Sequence, residues 1–261
     1  MRSLSIAATG MLAQQLNVEV ISNNIANMNT TGYKRQRAEF QDLLYQNLRR
    51  VGATSSDTGT IVPSGVQIGV GVKTAAVYRI TEQGNVISTG NTLDLAIQDR
   101  GLFRIELPSG EDGYTRAGAF QLSPDGEIVT TDGFTVAPGI AIPQDAVDIS
   151  ISATGDVQVK IAGQVDPLNV GQLELVTFPN VAGLEAIGDN MFLETPASGS
   201  AIVGVPGLDG VGTILQGFLE TSNVNPVHEI TTLITAQRAY EMNSQVITLS
   251  DEMLATVNRL R

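Results

Sequence analysis

Apolar side chains follow a helical period at both ends of the chain and a strand period between them. Leu4, Ala7, Met11, Val18, Ile21, Ile25 and Met28 fill seven of eight heptad core positions, Gln14 being the exception. This pattern predicts a helix that ends at Asn29-Thr30-Thr31-Gly32, where glycine marks the exit. At the other end Asn225 is placed to cap a helix and Pro226 to occupy its first turn, with Glu229 early and Arg259 and Arg261 late, as the helix dipole favours. Along that helix Ala239, Met242, Val246, Leu249, Met253 and Leu260 fall at alternating three- and four-residue steps, with Thr256 the polar slot. Beside them Leu233, Tyr240, Ile247 and Leu254 recur every seventh residue. The resulting arc is too broad for one partner helix, and at 1.5 Å per residue the helix extends about 50 Å.

Period two begins at Val66 and takes every even position to Ile80, which predicts one long strand or two in series. Before it, Tyr33 to Arg50 is mixed, with Phe40, Leu43, Leu44 and Leu48 read as a short amphipathic stretch, and Gly52 to Gly65 as a loop or extended arm. After it come short alternating runs, such as Phe103, Ile105 and Leu107 or Val157, Val159 and Ile161. Turn residues separate them at Pro124-Asp125-Gly126, Thr131-Asp132-Gly133 and Thr154-Gly155-Asp156. Pro196 to Gly212 reads as the return path to the last helix. The fold class expected is α+β. Long terminal helices (1–32 and 222–261) form a coiled-coil-like inner domain, extended connectors follow (33–92 and 212–221), and a central antiparallel all-β domain spans 93–211.

Composition narrows the function. Charged residues are only 16%, glycines number 27, and the net charge of -12 is concentrated in the middle of the chain. Such a surface lacks the basic stripe that displaces counterions, so no nucleic-acid partner is expected. The group Lys34-Arg35-Gln36-Arg37 reads as a solvated or intersubunit face. Cysteine is absent, which excludes disulfides and thiolate metal sites. No apolar run approaches the roughly 18 residues of a membrane span, and no cleavable signal is legible, so direct membrane insertion is not expected. His228 is the only histidine and sits in a helix's first turn, a poor place for a catalytic relay. Asp125-Gly126-Glu127 lacks the alternating oxygens of a calcium loop, and Gly65, Gly69 and Gly71 lie in a strand pattern rather than before a capped helix. No catalytic residue, metal site or cofactor is therefore expected. The competing class is a β-domain carbohydrate-binding module or enzyme with dimerising helices.

Ser22-Asn23-Asn24-Ile25-Ala26-Asn27, followed by Asn29-Thr30-Thr31-Gly32-Tyr33-Lys34-Arg35, resembles the N-terminal signature of the bacterial flagellar rod and hook proteins. Glu220-Thr221-Ser222-Asn223-Val224-Asn225 and Gln237-Arg238-Ala239-Tyr240-Glu241 are similar to that family's C-terminal signature. Gly101-Leu102-Phe103, Tyr114-Thr115-Arg116-Ala117-Gly118 and Asp132-Gly133-Phe134 resemble its β-domain motifs. Ile25 and Tyr33 stand where relatives often carry Leu and Phe. The segment of about 46–65, with Gln46, Gly52, Pro63 and Gly65, resembles one that marks the rod members. The resemblance implies a helical homopolymer, a hollow tube whose inner wall is the paired terminal helices and whose outer layer is the β domain. It further implies export through the type III apparatus without a cleaved signal, and residence in the basal body across the periplasm. The partners it implies are the proximal rod proteins, the hook protein, and the surrounding outer-membrane and peptidoglycan ring proteins. A proximal rod or hook-type member is the nearer alternative.

Overall fold

The computed structural model describes residues 2–49, 64–163 and 166–259. It is α+β, with a helix at each end and antiparallel sheets between them. The chain forms two compact units, one of residues 1–25, 36–78 and 225–261 and one of residues 26–35 and 79–224.

The first unit holds helix α1 (Arg2–Ala26) and helix α2 (Pro226–Arg259). Asn225 caps α2: its Oδ1 accepts the Val227 and His228 amides at 3.1 and 3.2 Å, as an N-cap asparagine does. The helices run antiparallel. Ser250 Oγ donates to Ser3 Oγ at 3.3 Å, the Asn243 side chain lies over Gly10, and Asn24 Nδ2 donates to Glu229 Oε2 at 3.2 Å. These contacts fall every seventh residue, or at a multiple of it, on both helices. Asn17 and buried Ala236 occupy the remaining position of the same two series. The line of contact is thus small and polar.

That line does not coincide with the heptad read from the sequence. Ala7 and Ile21 are buried, and Leu4, Met11, Val18 and Ile25 are half-buried, one position off the line. Serine, glycine and asparagine let the two backbones approach where a leucine would hold them apart. Met28 is exposed and lies beyond the end of α1. Leu260 lies outside the described residues.

The stretch read as amphipathic is instead two strands, Gln36–Asp42 paired with Val72–Arg79 and Tyr45–Arg49 paired with Val66–Gly69. Phe40 and Leu43 are half-buried and Leu44 and Leu48 exposed. Pairing between ribbon strands satisfies the backbone without a helix's buried stripe. Gly71 (φ +128°) lets the ribbon cross α1 closely. A Cβ there would collide with the Thr9 side chain, whose Oγ1 accepts the Val72 amide at 3.3 Å.

The second unit is the β domain. Its largest sheet orders Glu185–Gly188, Met191–Leu193, Asp112–Thr115, Leu102–Glu106, Leu175–Thr177 and Ile202–Gly204, all antiparallel. Beside it stands a three-stranded sheet of Ala146–Ile151, Asp156–Ile161 and Leu168–Gln172. Phe103 and Phe120 meet edge to face at 5.0 Å in a core with Ile128, Val157, Val159 and Leu175. The three turns expected from sequence close with amide-to-carbonyl bonds from Gly126, Gly133 and Gly155, each glycine at positive φ. Pro196 to Gly212 is not merely a return path: Ile202–Gly204 pairs as the edge strand of the six-stranded sheet, because Val203 sits opposite Val176.

Candidate functional site

Two features stand out, one in each unit. On α2, apolar side chains remain in solvent: exposure runs from 43% at Val246 to 76% at Val227 and includes Ile230, Ile234, Tyr240, Met242, Leu249, Met253 and Val257. Single exposed apolar residues are ordinary, but a run of them along one helix marks an interaction surface. Leu233, Ala239, Ile247 and Leu254, the remaining apolar positions read from the sequence, are half-buried beside the line of contact with α1. Because α2 has 34 residues against 25 for α1, Val257, the next step of the contact series, extends past its own partner. Among the described residues no helix is long and apolar enough to cross a membrane.

In the β unit, Glu220 is buried to 1% exposure. Its carboxylate accepts from Lys34 Nζ at 2.5 Å, Arg116 Nε at 2.6 Å and the Gly84 amide at 2.9 Å. Arg116 also donates to three carbonyls, those of Ile97, Gly101 and Asp99. Asp99 presents its carbonyl from a left-handed backbone, φ +77°, a conformation that costs a non-glycine residue about 1–2 kcal/mol. Burial raises the Glu220 carboxyl, but Arg116, Lys34 and the Gly84 amide outweigh it and hold the group below the usual carboxylate range. Burial draws Lys34 below its ordinary value despite the Glu220 contact, since one carboxylate serves two cations and Arg116 repels the ammonium.

Around this triad three distant stretches are tied together. Asn223 Oδ1 accepts the Arg35 amide at 2.7 Å, while its Nδ2 donates to the Ile80 and Glu82 carbonyls. Gly32 donates its amide to the Glu220 carbonyl at 2.8 Å, and a Cβ on it would come within 2.8 Å of the Ala117 nitrogen. With φ +70° as well, the position demands glycine. Asn27 Oδ1 accepts from Thr30 Oγ1 at 3.1 Å and turns the chain out of α1, and Tyr33 follows half-buried. In the helical unit the Asn24 amide also exchanges two hydrogen bonds with the Gln36 backbone, at 2.8 Å each, while Asn23 lies on the exposed side of α1. Lys34 thus departs from the solvated face expected of the basic group, because the buried Glu220 carboxylate needs counter-charges. Arg37 is exposed, over the Tyr78 ring and bonded to Glu39.

Lys34, Arg116 and Glu220 stand in three separate motifs, and nothing in their spacing gives them a joint role. More than a hundred residues separate Arg116 from Glu220, beyond the reach of any periodicity. Their one signal is charge inside motifs made mostly of uncharged residues. Of the segment resembling rod members, Gln46 is exposed on the strand opposite Ile68 and Gly65 is half-buried, while Gly52 and Pro63 lie outside the described residues.

Three family models match the chain: "Flagella basal body rod protein" at residues 4–34, "Flagellar hook protein FlgE/F/G D1 domain" at 96–159, and "Flagellar basal body rod FlgEFG protein C-terminal" at 215–260. The chain is 62% identical over 261 residues, all of both chains, to the flagellar basal-body rod protein FlgG of Caulobacter vibrioides. It is 56% identical over 259 residues to that of Agrobacterium fabrum, covering 99% of each, and 40% identical over 266 to that of Bacillus subtilis, covering 100% of this chain and 99% of that one. With full-length identity at this level, the chain belongs to the flagellar basal-body rod protein family whose members are named FlgG.

Proposed function

We propose that the chain is a structural, non-catalytic subunit of the flagellar distal rod. In this reading it self-assembles into a rigid helical tube that carries torque from motor to hook and lets exported flagellar proteins pass through its bore. The observation that carries the reading is the apolar surface of α2, left in solvent by a single copy and too long for α1 to cover. The terminal helices then build the inner wall through coiled-coil-like packing between copies, using Leu4, Met11, Val18 and Ile25 on α1 with Met242, Val246, Leu249 and Met253 on α2. The β domain forms the outer layer, and the segment of about 46–65 locks neighbours together and keeps the shaft stiff. Proximal rod proteins below, hook protein above, the outer-membrane and peptidoglycan rings around, and the type III apparatus as exporter complete its partners. The location is the basal body, across the periplasm.

The test is Leu249→Glu in the full chain, with electron microscopy of concentrated protein. Each charge placed in a dry interface costs several kcal/mol, so the tubes formed by the unchanged protein are expected to be lost. Thermal unfolding of the β domain is expected to stay unaltered. Tubes that persist in the variant contradict the reading.

A further inference from the structure

The six-stranded sheet has a second face. Successive strand residues point to opposite sides, so Phe103 and Leu175 enter the core already described while their neighbours Leu102 and Val176 lie on the other side. There they form a smaller cluster with Tyr114, Phe178 and Leu184, the Tyr114 and Phe178 rings meeting edge to face at 4.8 Å. This cluster does not fill its space. Within the β unit a cavity of about 590 Å³ remains against Leu102, Val176, Phe178 and Phe192, the size of pockets that bury most of a small ligand.

The cavity is cationic in an acidic protein. Lys34, Arg79, Arg100 and Arg116 line it against two carboxylates, Glu82 and Asp99, whereas the whole chain has 15 basic and 27 acidic residues. Lys34 and Arg116 are already paired with Glu220. Among the described residues no carboxylate pairs with Arg79 or Arg100. Arg100 is exposed and Arg79 half-buried. The Arg79 Nη1 donates to the Leu184 carbonyl at 3.1 Å, and its guanidinium carbon lies 4.7 Å from the centre of the Phe192 ring. Burial draws Arg79 below its ordinary value, with only Tyr33 opposing. A cation already out of water and held in place by a carbonyl and a ring gains more from an added anion than a solvated one does.

These walls select their occupant. A bare anion would leave the apolar wall in water, and an apolar group alone would leave Arg79 without a counter-charge. Glu82, Gln83, Asn180 and Val181 in the lining are exposed, so the cavity is open and its occupant can continue out of it, as a peptide chain does. We propose that this cavity docks an acidic peptide segment of a partner protein, its carboxylate received by Arg79 with Arg100 at the exposed rim, and a neighbouring apolar side chain lying against Leu102, Val176 and Phe192. The site lies wholly in the β unit and does not depend on how α2 is covered.

The probe is N-acetyl-leucyl-aspartyl-leucinamide, titrated at millimolar concentration into dilute full-length protein and followed through the backbone amide signals by nuclear magnetic resonance. Saturable shifts are expected at residues 79–83, 99–102 and 176–184. Arg79→Gln is expected to weaken binding about tenfold or more, as loss of a charge-assisted hydrogen bond does. Arg100→Gln, at an exposed position, is expected to weaken it as well while thermal unfolding of the β domain stays unchanged, so the test survives an Arg79 variant that does not fold. The asparaginyl analogue of the probe, N-acetyl-glycyl-aspartyl-glycinamide and inorganic phosphate are each expected to bind at least about tenfold more weakly than the probe. Any of these three binding as well as the probe, shifts absent from those segments, or an affinity that the folded arginine variants leave unchanged would overturn the proposal. Shifts of the same signals on concentrating the protein without peptide would place a second copy in the cavity and overturn the partner assignment.

Discussion

Glu220 stabilises its surroundings only while it is ionised, which makes it one residue through which acidity acts on the β domain. Its carboxyl is held below the ordinary range: burial opposes this, and Arg116, Lys34 and the Gly84 amide prevail. A depressed carboxyl contributes stability that is fully present above its unfolded value, about 4.3 for glutamate, and is lost as pH falls through the lower folded one. Glu220→Gln removes that dependence and leaves two cations with no counter-charge, at a cost of about 3–5 kcal/mol near neutrality. Denaturant unfolding from pH 7 down to pH 3 is therefore expected to show the variant weaker at pH 7, with the gap narrowing on acidification. An unchanging gap contradicts the assignment. None of this was legible in order along the chain, since Lys34, Arg116 and Glu220 come from three separate motifs and meet only in space.

At the scale of elements, both terminal helices and the start of α2 could be read from pattern and caps, because Asn225 and Pro226 act locally, whereas α1 stops at Ala26, before the Gly32 exit. The face that α1 turns to α2 could not. Periodicity ranks positions by apolarity, whereas close approach selects small residues, so Ser3, Gly10 and Asn24 took the contact and the leucine-sized neighbours became its shoulders. Gly10→Leu tests this directly. A Cβ there sits 3.0 Å from the Asn243 amide before any further atom is added, and overpacking of this kind costs about 1–3 kcal/mol. Helical circular dichroism on heating is expected to fall earlier in the variant, while the near-ultraviolet signal of the β-domain aromatics keeps its midpoint. A helical transition that does not move would show the contact line to be elsewhere. The stretch of Phe40 to Leu48 forms strands for a related reason: its apolar residues sit at spacings that suit either period, and pairing with Val66–Gly69 and Val72–Arg79 decides the matter.

The molecule as a whole separates two kinds of apolar surface. In the β domain Phe103, Ile105 and Leu175 are shut away completely and make a core that needs no partner. Along α2, residues of the same kind stay in water, where they contribute nothing to the stability of one copy and about 1.5–3 kcal/mol each once buried. The broad arc read from the sequence carried this distinction, since no single helix can cover it. The central claim is that α2 is completed by other copies of the same chain. Hydrogen exchange across residues 226–259, measured in dilute and in assembled protein, tests it most directly. Rapid exchange is expected in the dilute chain and strong protection on assembly, with the β-domain strands unchanged; equal protection in both states would contradict completion of α2 by other copies.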